Sequence, residues 1–218
     1  MYTTILFDLD GTLTDPKPGI TKSVQYALAH FGIEEEDLDK LEPFIGPPLH
    51  DSFREFYGMD EKQAWEAVEK YRERFAQVGW RENALYPGID GMLARLKASG
   101  CRLGVASSKP EYFVKKILDH FHVAQYFDVA LGSEMDGSRS KKVEVIREAL
   151  LRLGAEAGLP REGTVMVGDR LFDVEGAREM GLPCIGVSFG YAAPGELEES
   201  GAVQIADSVE ELERILLK

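Results

Sequence analysis

From Pro87 to the C-terminus, short apolar runs alternate with amphipathic stretches, and this alternation limits the available folds more than any other feature. The runs at residues 102–106, 128–131, 164–167, 184–187 and 203–205 are strand-length and apolar. Helical spacing fills the gaps, as in Phe113, Val114, Ile117, Leu118 and Phe121, or Val143, Ile146, Leu150 and Leu153. Apolar strands separated by helices predict a parallel sheet covered on both faces. A strand of the same kind, residues 3–9, opens the chain.

Between residues 19 and 81 the periodicity is helical only. Ile20, Val24, Ala27, Leu28 and Phe31 form one stripe, and Trp65, Val68, Tyr71, Phe75 and Val78 a second. Asp60, with Gln63 three residues on, marks the start of the second helix. Pro43, Gly46, Pro47 and Pro48 interrupt the run, and a third helical stretch follows around 49–56. The expected architecture is α/β. A Rossmann-like parallel-sheet core is built from residues 1–16 and 84–218, with an all-helical cap inserted at 17–83.

Charge narrows the partners. The 25 Lys+Arg against 38 Asp+Glu leave a net charge of −13, which repels duplex nucleic acid and anionic membrane surfaces. Acid runs such as Glu34-Glu35-Glu36-Asp37 and Glu196-Leu197-Glu198-Glu199 read as solvated surface. Two cysteines, Cys101 and Cys184, cannot build a disulfide framework or a Cys-rich zinc site and read as buried thiols. No signal peptide and no membrane-length apolar run is seen, so a cytoplasmic protein without membrane contact is expected. A small anionic substrate stays possible where the local charge is positive.

Ligands of open parallel sheets bind beyond the carboxyl ends of the strands. Asp8 and Asp10 end the first strand. Ser107, Ser108 and Lys109 follow the strand at 102–106, and Gly168-Asp169-Arg170-Leu171-Phe172-Asp173 follows the one at 164–167. Four carboxylates at one sheet edge repel one another unless a cation sits among them. A hard divalent ion with oxygen ligands, Mg²⁺ in particular, answers that repulsion.

These segments resemble the motifs of the haloacid dehalogenase-like hydrolase superfamily. Phe7-Asp8-Leu9-Asp10-Gly11-Thr12-Leu13-Thr14-Asp15 is similar to its first motif, Val105-Ala106-Ser107 to its second, and Gly168 to Asp173 to its fourth, Gly-Asp-x-x-x-Asp. The third motif is a lysine at a helix start, for which Lys141 and Lys142 both stand in place. The segment Asp136-Gly137-Ser138-Arg139-Ser140-Lys141-Lys142-Val143-Glu144-Val145-Ile146 resembles superfamily members described as 5′-nucleotidases. Their lysine lies three residues after the arginine, which selects Lys142. The loop from Phe44 to Leu49 looks like the family's specificity segment.

The resemblance implies phosphoryl transfer through an aspartyl phosphate. Asp8 is then the nucleophile and Asp10 the general acid and base. Mg²⁺ is held by Asp8, Asp169 and the backbone carbonyl of Asp10. Asp173 orients Lys142 or a metal-bound water. Ser107, Lys142 and backbone N–H groups near Gly11 bind the phosphoryl oxygens. The acid at Asp10 favours phosphate over carbon–halogen chemistry, though phosphomutases share the pair. In the cap, Phe44, His50 and Arg54 are candidates for substrate contact, while its many aromatics could equally be its own core. The leading substrate is a nucleoside 5′-monophosphate or a similar small phosphomonoester. Phosphoglycolate hydrolysis and sugar-phosphate mutase activity are the alternatives.

Overall fold

All four residues of the first strand, β1 (Thr4–Phe7), are buried, as a strand covered on both faces requires. The structure is a computed structural model that describes residues 2–136, 138–158, 160 and 162–218; Gly137, in the 5′-nucleotidase-like segment, lies outside them. Two short strands, β2 (Thr14–Asp15) and β3 (Ala84–Leu85), pair with each other. The chain divides there into two units, one of Asp15–Ala84 and one of Met1–Thr14 with Leu85–Lys218.

The smaller unit is helical: α1 (Lys17–His30), α2 (Leu49–Tyr57) and α3 (Glu61–Gln77), with 3₁₀ turns at Leu38–Phe44 and Gly79–Arg81. Asp60 caps α3 as its spacing predicts. Its Oδ1 accepts from the Gln63 N–H at 2.8 Å, and Gln63 Oε1 accepts from the Asp60 N–H at 3.0 Å. Phe44 ends a 3₁₀ turn that contains Pro43. Its ring packs 4.9 Å from Phe53 and 5.3 Å from Phe56. One ion-pair network braces the unit. Arg74 grips Glu82 at 2.7 and 3.1 Å, and Lys22 reaches the same carboxylate at 3.1 Å.

The larger unit alternates. It runs α4 (Ile89–Ala98), β4 (Arg102–Pro110), α5 (Glu111–His120), β5 (Val129–Ser133), α6 (Lys142–Arg152), β6 (Thr164–Gly168), α7 (Leu171–Glu179), β7 (Cys184–Val187), α8 (Glu196–Ser200), β8 (Gln204–Ala206) and α9 (Val209–Leu216). The six strands lie in the order β5-β4-β1-β6-β7-β8, all parallel. On one face Leu6, Ala106, Leu131, Met166 and Cys184 pack against Val145, Ile146 and Ala149 of α6, Val174 and Ala177 of α7, and Leu197 of α8. The intervening residues Ile5, Phe7, Val105, Val165 and Val167 are equally buried and point the other way by the strand's two-residue period. Leu6→Ala would leave a cavity in the sheet's centre and cost about 2–5 kcal/mol. Both cysteines are buried and free. Among the described residues no helix is long and apolar enough to cross a membrane.

This topology positions the site. From β1 the chain winds one way through β4 and β5 and the other way through β6, β7 and β8, so the order reverses between β1 and β6, where a crevice opens at the carboxyl ends. Phe7 lies level with Val105 and Val167. The next residues of β1, β4 and β6 therefore emerge together. One expectation needs correction. β4 does not end at Ala106 but continues to Pro110, with an irregular register before Pro110 pairs with Ser133 of β5. Ser107, Ser108 and Lys109 are thus on a bulged strand, which aims side chains off the regular alternation.

Candidate active site

Asp8 follows β1 directly, and its backbone N–H donates to Val167 O of β6 at 2.9 Å. The turn after it folds back on Leu9, whose carbonyl accepts from the N–H groups of Leu13 and Thr14. Gly11 makes this turn with φ +81°, and a Cβ there would lie 2.0 Å from Asp169 Oδ2. Any larger residue would be strained and would collide with Asp169. The Gly11 N–H donates to Thr14 O at 2.8 Å. The Gly11 amide itself thus closes the turn, and the glycine supplies room for Asp169.

Lys142, the first residue of α6, is the lysine that reaches the carboxylates. Its Nζ lies 2.9 Å from Asp8 Oδ1, 2.7 Å from Asp173 Oδ1 and 3.2 Å from the Ala106 carbonyl. Lys141 is exposed. Burial alone would lower the Lys142 pKa, but Asp173 and Asp8 raise it, so this lysine stays charged. Asp173 divides its carboxylate. Oδ2 accepts from the Arg170 N–H at 3.1 Å, closing the first turn of α7, and Oδ1 faces Lys142. Burial pushes its pKa up to about 6 against the pull of Lys142.

Asp169 is fully buried. Thr12 Oγ1 donates to its Oδ1 at 3.1 Å, and the Tyr191 N–H to its Oδ2 at 2.9 Å. Burial, followed by the charges of Asp173 and Asp8, holds its carboxyl well above the usual carboxylate range. Asp10 is also buried, and its Oδ2 pairs with Lys109 Nζ at 2.6 Å. Its Oδ1 is buried with no hydrogen-bond partner among the described residues. Burial raises the Asp10 pKa while Lys109 opposes the rise. Ser107 is buried beside them, its Oγ accepting from the Lys109 N–H at 3.4 Å.

The cluster has more negative charge than the chain supplies cations for. Asp8, Asp10, Asp169 and Asp173 face Lys109 and Lys142, leaving two negative charges when all are ionised. Asp8, Asp169 and Asp173 each bring a carboxylate oxygen within 4.8 Å of the others. Three buried, oxygen-only donors with that residual charge fit a hard divalent cation. Asp10's carboxylate is not in this group; its Oδ2 pairs with Lys109.

The structure thus gathers Asp8, Asp10, Ser107, Lys142, Asp169 and Asp173 within one unit. Phe44, His50 and Arg54 belong to the helical unit. Phe44 is only 2% exposed and fills that unit's aromatic core, which corrects its assignment as a substrate-contacting ring. His50 packs on Trp65, with ring centroids 4.6 Å apart, and its ring nitrogens lie 3.1 Å from Asp51 and 3.3 Å from Glu61. Arg54 lies 3.4 Å from Glu61.

Three residues at the core site were given no role from the sequence, although Lys109 was placed at the strand ends. Lys109 and Thr12 stood in the right segments, but their partners are distant in sequence. Glu196 was read as solvated. Yet its side chain is only 10% exposed and accepts three hydrogen bonds. Burial would raise its pKa, but Arg170 and the backbone N–H groups of Ala193 and Leu171 hold it below the usual carboxylate range. The apolar Leu197 inside the acid run, and the need of Arg170 for a partner, were the available signals.

Comparison with known proteins agrees with this geometry. The family model for haloacid dehalogenase-like hydrolases matches residues 5–187. A protein of Pseudomonas aeruginosa named 5′-nucleotidase is 50% identical over 196 residues, covering 90% of this chain and 87% of its own. The tyrosine-protein kinase PtkA of Mycobacterium tuberculosis is 40% identical over 97% of this chain and 72% of its own. A plasmid phosphoglycolate phosphatase of Cupriavidus necator is 30% identical over 98% of this chain and 93% of its own. Among solved structures, a predicted phosphatase from Clostridium acetobutylicum superposes with a TM-score of 0.95 at 47% identity, covering 100% of this chain and 99% of the other.

Proposed function

This chain belongs to the haloacid dehalogenase-like hydrolases and is a phosphoric monoester hydrolase, and from that premise we propose that it is a Mg²⁺-dependent phosphatase of nucleoside 5′-monophosphates acting through a phosphoaspartate at Asp8. One arrangement carries the reading: Lys142 Nζ bridges Asp8 and Asp173 beside the buried carboxylate of Asp169. Asp8 and Asp169, with the backbone carbonyl of Asp10, would hold Mg²⁺, while Asp173, whose oxygens face Lys142 and the Arg170 N–H, would orient the lysine. When bound, the cation neutralises the charge that phosphate brings to an acidic site.

The protein's own groups do the rest. Asp8, with Lys142 Nζ 2.9 Å from its Oδ1, attacks phosphorus in line with the leaving oxygen. Asp10, whose pKa burial raises, protonates the departing alkoxide. It then takes a proton from the water that hydrolyses the phosphoaspartate. Lys109 holds one Asp10 oxygen and leaves Oδ1 for that proton. The Ser107 hydroxyl and Lys142 bind non-bridging oxygens where charge resides in the transition state. We assign residues 17–83, within the helical unit, as the cap that selects the leaving group, with His50 and Arg54 as its candidate contacts.

The nucleotide preference is supported by the 50% identical 5′-nucleotidase relative and by the Arg139–Lys142 spacing. A phosphate-release screen over a panel of phosphomonoesters, with and without Mg²⁺, tests the reading. The expected result is release that needs Mg²⁺ and favours nucleoside 5′-monophosphates at least about tenfold over 2-phosphoglycolate, a discrimination of about 1.4 kcal/mol. The reverse preference would reassign the substrate, and no Mg²⁺ requirement would remove the cation from the mechanism.

A further inference from the structure

Asp169 is held from two sides. Thr12 holds one oxygen, and the loop between β7 and α8 holds the other through the Tyr191 N–H. One residue outside the recognised motifs fastens that loop. Glu196 Oε1 accepts from the Leu171 N–H at 2.8 Å and from Arg170 Nε at 2.9 Å, and its Oε2 accepts from the Ala193 N–H at 3.0 Å. A single carboxylate therefore joins two segments. One is the turn between Asp169 and Asp173; the other is the loop that carries Tyr191.

The join has little slack. At Gly190 a Cβ would fall 2.4 Å from Asp169 Cβ and 2.4 Å from the Gly11 carbonyl, so the loop lies directly on the site. A charge-assisted, doubly anchored carboxylate is a strong and directional fastening. It also places negative charge at the first N–H of α7, where the helix favours it. Displacing this loop would move the Tyr191 donor, and with it the direction of the Asp169 carboxylate.

We infer that Glu196 is a positioning residue for the cation site, fixing the carboxylates of Asp169 and Asp173 through Leu171, Arg170 and Tyr191 without touching cation or substrate. The inference rests on the proposed reading that Asp169 holds a divalent cation. A purely structural glutamate would support α8 and the loop but leave cation affinity alone, and that difference is measurable.

The test compares wild type, E196A, E196Q and the exposed control E198Q in the whole chain. Mg²⁺ binding is followed by titration calorimetry, metal-free stability by thermal melting, and kcat and KM with a nucleoside 5′-monophosphate. E196A is expected to weaken Mg²⁺ binding by roughly 10–100-fold, the usual effect of removing an outer-shell partner. Its kcat should fall while KM for the ester moves less. E196Q keeps one acceptor oxygen for Leu171 but turns an amide donor toward the Ala193 N–H, so it should fall between, and E198Q should match wild type. If E196A does not fold, E196Q decides. Mg²⁺ affinity within about twofold of wild type in a folded Glu196 variant, with only melting lowered, would overturn the inference, since an outer-shell partner should cost more. Wild-type protein that binds no Mg²⁺ would instead remove the cation reading on which the inference stands.

Discussion

The half-buried Glu82 of the helical unit and the buried aspartates of the α/β unit's cluster meet opposite surroundings. In the helical unit Glu82 meets Arg74 and Lys22, and the hydrogen bonds from Arg74 hold its pKa below the usual carboxylate range. In the α/β unit Asp10, Asp169 and Asp173 are buried with too few cations, and burial drives all three upward. A carboxylate that serves the fold is given its counter-charge. A cluster left short of it destabilises the empty fold and persists where a ligand or reaction uses it. The difference locates the site without reference to any relative.

The largest expected effect is at the centre of the deficit. Asp8→Asn keeps the shape but removes the nucleophile, so turnover should fall by at least about a thousandfold. A variant keeping more than about a tenth of wild-type turnover would defeat the assignment. Lys142→Met removes the main counter-charge and leaves Asp8 and Asp173 buried without it. It should lose turnover and about 3 kcal/mol or more of stability, measured by denaturant unfolding. The neighbouring Lys141→Ala, on an exposed side chain, should stay within about 0.5 kcal/mol of wild type.

Asp169→Asn sharpens the contrast, because its two effects have opposite signs. The amide can still accept from the Tyr191 N–H and can donate to the Thr12 hydroxyl, so the packing is preserved. Removing one of the mutually repelling charges should raise the melting temperature of the metal-free protein by a few °C, while Mg²⁺-dependent turnover collapses. A metal-free variant that melts lower than wild type would show that the carboxylate supports the fold after all.

The smallest effect tests the helical unit. Glu82→Gln should cost about 1 kcal/mol near neutral pH, a charged pair discounted for partial exposure. Because the folded-state pKa of Glu82 is depressed below 4.5, its contribution is fully present above that pH. It fades as pH falls through the lower folded value. The stability gap between wild type and variant should therefore close on acidification below pH 4.5. A gap that widened there would contradict the pairing.

The sequence disclosed what is local. Asp8, Asp10, Asp169 and Asp173 each lie within a few residues of an apolar strand, and the alternating elements imply the parallel sheet that brings those strand ends together. Lys142 could be separated from Lys141 by spacing from Arg139. Long-range pairings were hidden. Thr12 and Asp169 are 157 residues apart, and nothing in Asp-Gly-Thr announces that its hydroxyl serves another strand's carboxylate. Glu196 has the same composition around it as a solvated acid run, and only the arrival of Arg170 and Leu171 from another turn distinguishes it. Phe44 misled for a related reason: a loop aromatic between prolines looks available until Phe53 and Phe56 cover it.

The central claim is that phosphate passes through Asp8, and it can be read chemically. An Asp10→Asn variant, lacking the base for the second step, is mixed with 4-nitrophenyl phosphate, whose leaving group needs no proton. The mixture is quenched within milliseconds and treated with borohydride, which converts a phosphoaspartate to homoserine, and the peptide around position 8 is sequenced by mass spectrometry. The account predicts homoserine at position 8 in a large fraction of molecules, and none when Asp8→Asn is added. Burst release of nitrophenolate with position 8 unmodified would contradict it.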